Sequence, residues 1–131
     1  MLTTGVDIIE LDRIQKTVER WGQRFLLRIY TEGEIAYCRG RIPQLAARFA
    51  AKEAVMKALG TGIRGVGWRE VEVVRMRGQA PSIRLHGRAS GVAQRRGVQH
   101  ITVSLSHSRD YAIAFVVAEN LSKPEQTASL G

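Results

Sequence analysis

Cysteine is nearly missing from this chain: Cys38 stands alone among 131 residues. A single thiol excludes an internal disulfide framework and any zinc site built from several cysteines. Long apolar runs are missing too, and none approaches the roughly 20 residues that a membrane-spanning helix needs. The first residues, Met1-Leu2-Thr3-Thr4-Gly5, carry neither the positive start nor the apolar stretch of a secretory signal. A cytoplasmic protein is the expectation. Internal repeats and low-complexity tracts are absent. Lysine is scarce, with Lys16, Lys52, Lys57 and Lys123 the only four.

What the chain has is arginine, which supplies all but those four of its 20 basic residues against 12 acidic ones, for a net charge of +8. A field of that sign attracts polyanions: nucleic acid, anionic membrane, acidic protein or a phosphate-rich ligand. The planar guanidinium suits carboxylate and phosphate alike, although a basic surface also serves solubility alone. The hydrophobic share of 44% is ordinary for a globular chain, and the length suits one domain, taken as residues 1–120 with a polar, frayed tail at 121–131.

Patterning gives the elements. Gly5-Val6-Asp7-Ile8-Ile9 reads as a buried strand. A helix follows from Leu11 to Trp21, with Ile14, Val18 and Trp21 on one face. Thr31-Glu32-Gly33-Glu34 has capping-box spacing and starts a short helix. Pro43 suits the first turn of the next helix, which runs to Leu59 and stops at Gly60. Gly60 to Gly67 is a glycine-rich loop. Strands are expected at Glu70–Arg75 and Ser82–Leu85, and a short helix at Arg88–Gln94. The end is a hairpin: Ile101, Val103 and Leu105 alternate with polar residues, His107 to Asp110 turn the chain, and Tyr111–Ala118 returns as a strand covered on both faces. Helices come mostly early and antiparallel strands mostly late, so the fold class is α+β, a single small domain with helices packed on an antiparallel sheet.

A few positions carry chemistry. Asp7 sits among β-branched residues, where a buried carboxylate is costly unless it is paired or binds metal; an aspartate at a strand end also caps a following helix. Glu53 lies in an arc of apolar side chains on the long helix, with Lys57 at its edge. An i,i+4 pair between the two is the plain alternative. Two carboxylates on separate elements make an oxygen-only site of the kind Mg²⁺ prefers, and Lys57 suits a phosphate as a point charge. The glycine loop permits close backbone approach to a ligand or serves only as connection; it lacks the Walker pattern. His107 near a turn reads as a hydrogen-bonded turn residue or a site residue.

Three blocks in order resemble the small phosphopantetheinyl transferases that activate fatty-acid carrier proteins. They are Gly5-Val6-Asp7-Ile8-Ile9-Glu10-Leu11, then Arg48-Phe49-Ala50-Ala51-Lys52-Glu53-Ala54 continuing through Lys57-Ala58-Leu59-Gly60-Thr61-Gly62, then Ser104-Leu105-Ser106-His107-Ser108. The resemblance covers residues 1 to 119. It implies that Asp7 and Glu53 are Mg²⁺ ligands and that Lys57 stands near the pyrophosphate of coenzyme A, these three forming the catalytic set. It implies that Arg48, Gly60, Thr61, Gly62, Ser106 and His107 line the coenzyme A pocket. Arg13 matches a position facing an acidic acyl carrier protein, with Arg20 and Arg24 as approximate matches beside it. It further implies a homotrimer with sites between subunits, and transfer of a phosphopantetheine arm to a carrier serine in fatty acid biosynthesis. The rival from another class is a nucleic-acid-binding module, which the charge fits; Trp21, Trp68 and the tyrosines form no stacking pattern, and neither nucleic acid nor a membrane span is expected.

Overall fold

The computed structural model describes residues 1–120. The chain runs as β1 (Leu2–Glu10), α1 (Leu11–Trp21), α2 (Gln23–Ile29), α3 (Glu32–Cys38), α4 (Ile42–Leu59), a single turn α5 (Gly62–Gly65), a 3₁₀ turn at Trp68–Glu70, β2 (Val71–Val74), β3 (Ser82–Leu85), α6 (Gly87–Arg95), β4 (Val98–His107) and β5 (Tyr111–Asn120). The α+β reading holds. β1, β5 and β4 form one antiparallel sheet in that order, and β2 pairs with β3 in a second.

α4 is the axis of the molecule. It is buried nearly all round, so it has no amphipathic stripe. Ala46, Ala47, Ala50, Ala51, Ala54 and Ala58 line it, all buried. Their counterparts on the sheet are equally small: Ala112, Ala114, Val116 and Ala118 of β5 are buried against it. Small side chains on both surfaces let helix and sheet approach closely and close-pack. The nearest approach is at Gly5, where an added Cβ would overlap the carbonyl oxygen of Ala54. Gly60, with φ of 74°, ends the helix in the left-handed conformation that glycine adopts freely.

The other face of the large sheet is open. Tyr111, Ile113 and Phe115 alternate with the buried alanines and are exposed, and Val6 and Ile8 of β1 lie opposite Phe115 and Ile113. The expectation that β5 is covered on both faces therefore fails within one copy of the chain.

Several boundaries differ from the sequence reading. β1 begins at Leu2, ahead of the β-branched run, because it pairs with β5 along its whole length. Gln23–Ile29 is a helix that the sequence reading left unassigned; Gly22, at φ 51°, breaks it from α1 and hides its periodicity. Trp21 was expected beside Ile14 and Val18 on the buried face. It is the last residue of α1 and is 47% exposed. The glycine loop is partly helical, and His107 belongs to β4, leaving Ser108 to Asp110 as the turn. The Thr31 capping box is present: Thr31 Oγ1 accepts from the Glu34 N–H at 3.2 Å, and Glu34 Oε1 accepts from the Thr31 N–H at 2.8 Å. The tail, 121–131, lies outside the described residues.

Candidate active site

Asp7 and Gly5 stand two residues apart on β1 and so face the same side, toward α4. The contact at Gly5 draws the strand onto the helix, and Asp7 is carried with it. Its side chain is 14% exposed. Glu53 and Lys57 come from α4, one turn apart. Lys57 does not fold back on Glu53. Its Nζ donates to Asp7 Oδ1 at 3.1 Å and to the carbonyl oxygen of Val6 at 2.9 Å. The Glu53 carboxyl is raised above its ordinary range, first by burial and then by the negative charge of Asp7, while Lys57 and Arg13 pull the other way. Two carboxylates, an ammonium and a guanidinium thus act on one another at the junction of β1, α1 and α4.

A second cluster lies elsewhere on α4. Arg48 is only 3% exposed, and five residues separate it from Glu53, about 140° around a helix of 3.6 residues per turn. Its guanidinium lies 4.3 Å from the ring centroid of Tyr37 and donates to the Gln44 carbonyl at 3.3 Å. It has no carboxylate partner among the described residues. Around it is a cavity of about 100 Å³ lined by Tyr37, Arg75, Leu105, Ser106 and His107, among others, none of them acidic. A buried cation without a counter-charge is costly, and an anionic ligand relieves that cost.

The glycine loop meets neither cluster as a unit. Gly60 shares a cavity of about 550 Å³ with Lys57, Arg96 and the start of β1. Thr61 and Gly62 lead into α5, and the Thr61 hydroxyl is buried with no partner among the described residues. Arg96 donates to the carbonyl oxygen of Leu59 and so caps α4 from α6. Arg20 and Arg24 bracket Trp21, with guanidinium carbons 5.1 and 5.8 Å from its ring centroid.

Sequence reasoning missed four residues that the structure makes prominent. Tyr37 and Arg75 belong to the Arg48 cavity, and no local pattern marks them. Lys52 and Glu34 form a fully buried ion pair at 2.7 Å. The only available signal for Lys52 was its place in a helix so rich in alanine that its charges cannot all face water.

The 4′-phosphopantetheinyl transferase superfamily matches residues 3–116. A holo-[acyl-carrier-protein] synthase of Herpetosiphon aurantiacus is 54% identical over 124 residues, covering 89% of this chain and 98% of that protein. A holo-[acyl-carrier-protein] synthase of Koribacter versatilis is 48% identical over 124 residues, covering 92% and 99%. Among solved structures, the Helicobacter pylori holo-[acyl-carrier-protein] synthase in complex with coenzyme A superposes with a TM-score of 0.81 at 32% identity, covering 88% of this chain and 99% of that one. The Neisseria meningitidis synthase gives 0.82 at 37% identity, with 89% and 97% covered. The carboxylates of Asp7 and Glu53 therefore stand in a chain that belongs to the 4′-phosphopantetheinyl transferase superfamily.

Proposed function

We propose that this chain moves the 4′-phosphopantetheine arm of coenzyme A onto a serine of apo acyl carrier protein, releasing adenosine 3′,5′-bisphosphate and serving fatty acid biosynthesis in the cytoplasm. The meeting of Asp7 with Glu53 and Lys57, in a chain whose relatives bear the synthase name, carries this reading. The seryl oxygen attacks the β-phosphorus, the bond from that phosphorus to the bridging oxygen breaks, and the bisphosphate leaves. Glu53 takes the seryl proton. Its carboxyl, raised by burial and by Asp7, is a stronger base than an exposed glutamate. Lys57, held by Asp7 and the Val6 carbonyl, meets the pyrophosphate as a fixed positive charge.

Asp7 and Glu53 also suit magnesium. Their donor set is oxygen only. Two carboxylates are what Mg²⁺ ordinarily takes from protein. Burial first, and then the charge of Asp7, raise Glu53, and a divalent cation between the two carboxylates would relieve the second of these. Magnesium, when bound, supplies charge neutralisation and Lewis-acid polarisation of the pyrophosphate.

Arg48, Ser106 and His107 suit the adenosine end of coenzyme A, in a cavity whose buried guanidinium lacks a counter-charge. That cavity and the Glu53 cluster face different ways from α4, so one copy presents two half-sites. The exposed apolar face of β1 and β5 supplies a surface for self-association, in keeping with a trimer whose copies complete each other's sites. Arg13, Arg20 and Arg24 supply a basic edge for an acidic carrier. Among the described residues no helix is long and apolar enough to cross a membrane. The test is intact-mass analysis of apo acyl carrier protein incubated with the chain, coenzyme A and magnesium. A phosphopantetheine-sized mass gain with adenosine 3′,5′-bisphosphate as co-product is expected, and no gain would refute the reading.

A further inference from the structure

The buried pair of Lys52 and Glu34 has a use beyond packing. The Lys52 ammonium is wholly buried and spends its three protons on three acceptors: Glu34 Oε1 at 2.7 Å, the Val71 carbonyl at 2.6 Å and the Trp68 carbonyl at 3.1 Å. Glu34 is as fully engaged. Its Oε1 also accepts from the Thr31 N–H, and its Oε2 accepts from the Val73 N–H at 2.8 Å. One side chain of α4 is thereby tied at fixed angles to α3, to the 3₁₀ turn and to β2. The tie continues outward, since Thr31 donates to Glu72 at 2.8 Å and Glu72 meets His86 at 2.9 Å.

Apolar packing along α4 is less directional. Ala46, Ala47, Ala50, Ala51, Ala54 and Ala58 share its buried surface with Leu45, Val55, Met56 and Leu59, and the smooth alanine contacts change little in energy when the helix turns or slides slightly. Hydrogen bonds are directional and do change. A buried ion pair is weak support for stability, and its best-attested use is to fix register. Lys52 is also the residue immediately before Glu53, so the rotation that Lys52 sets is the rotation that aims Glu53 at Asp7.

We infer that Lys52, held by Glu34, is a positioning residue for the transfer reaction: it fixes the phase of α4 and so aims the Glu53 carboxylate at Asp7. The inference rests on the transferase reading above. It assigns the pair to turnover and not to coenzyme A or carrier affinity, because neither Lys52 nor Glu34 reaches the surface.

The test compares wild type with the apolar double variant Glu34→Leu/Lys52→Met and with Lys52→Met alone. Each is scored by turnover per folded molecule, with the folded fraction taken from circular dichroism at the assay temperature. This scoring holds even where a variant is partly unfolded. The double variant is expected to melt lower, because the Trp68 and Val71 carbonyls and the Thr31 and Val73 N–H groups lose a partner, and to keep the wild-type KM for coenzyme A and carrier, while kcat per folded molecule falls tenfold or more. A double variant with kcat within twofold of wild type would overturn the inference and leave the pair a packing element. A second readout needs no turnover: manganese(II) alone, titrated by electron paramagnetic resonance, should bind the double variant at least tenfold more weakly, and unchanged affinity would overturn the inference as well. A wild type that binds manganese but makes no holo-carrier would instead overturn the transferase reading, and the metal titration would still compare the two chains.

Discussion

Lys57 and Asp7 are partners across two elements: the Lys57 ammonium leaves its own helix and lies 3.1 Å from an Asp7 oxygen and 2.9 Å from the Val6 carbonyl on the neighbouring strand. The same-helix pair between Glu53 and Lys57 that the spacing allows is not the one that forms. Glu53 forms no ion pair among the described residues, and burial beside Asp7 raises its carboxyl although Lys57 and Arg13 pull the other way.

Removing either carboxylate should leave a folded protein with little transfer. If the charge at this junction contributes about 4 kcal/mol to the transition state, Asp7→Ala and Glu53→Ala each slow turnover roughly a thousandfold. Lys57→Ala should lower kcat/KM for coenzyme A while magnesium binding persists. Steady-state kinetics beside a magnesium titration checks all three, and near-normal turnover of Asp7→Ala or Glu53→Ala at saturating magnesium would remove them from the metal site.

Acid should weaken the carboxylate contacts beside the second sheet. Burial alone would raise Glu72, but hydrogen bonds from His86 and Thr31, with the charges of His86 and Arg84, hold it below its ordinary 4.5. Glu70 is held down similarly, burial being outweighed by the N–H groups of Gly67 and Arg88 and by the Arg88 guanidinium. A carboxylate lowered by folding contributes stability that is complete above its unfolded value and lost as pH falls through its folded one. Tm should therefore drop below pH 4.5, and less steeply in Glu70→Gln/Glu72→Gln. Glu53 has the opposite sign: raised by folding, it costs stability as pH rises through its range, so Glu53→Gln should melt higher than wild type at neutral pH. Melting curves across pH test both, and parallel profiles would discount these groups.

The open sheet face should hold copies together. Phe115 is 47% exposed at its centre, flanked by Val6 on β1. A charge there faces an apolar neighbour on assembly, which is costly. Phe115→Glu should sediment as a monomer with transfer reduced at least tenfold, while wild type sediments as a trimer. A fully active monomer would separate assembly from catalysis.

Charge on the first helices should govern encounter with the carrier. Arg13→Glu/Arg24→Glu should raise KM for the carrier severalfold and leave that for coenzyme A nearly unchanged, with a flatter dependence on salt than wild type. Equal salt dependence in both chains would assign these arginines to solubility.

How legible each part was follows from what its neighbours allow. Asp7 and Glu53 could be read because each is a carboxylate in an apolar setting, and such a residue demands a reason. Glu34 could not, because the capping box already accounted for it; the Lys52 pair on the same oxygen and the Val73 bond on the other leave no trace in spacing. Lys52 was hidden by α4 itself, since a helix covered on every side gives no polar face against which a buried charge stands out. Trp21 misled because apolar periodicity describes a helix without saying where it ends. The α+β class was readable because the alternation in β4, the apolar run of β5 and the caps of the long helix are local signals. The packing of two sheets around one helix is not local.

The placement of Arg48 and Glu53 on different faces of α4 has a genetic corollary. If neighbouring copies complete each other's sites, a lesion at Glu53 and a lesion at Arg48 damage opposite halves of the same interface. A cell carrying one allele of each could assemble mixed oligomers in which some interfaces receive both intact halves, although neither allele supports growth by itself. Two lesions within one half, such as Asp7 and Glu53, would never rescue each other. Allele pairs would then sort into two complementation groups within a single gene, and the boundary between them would trace the faces of one helix.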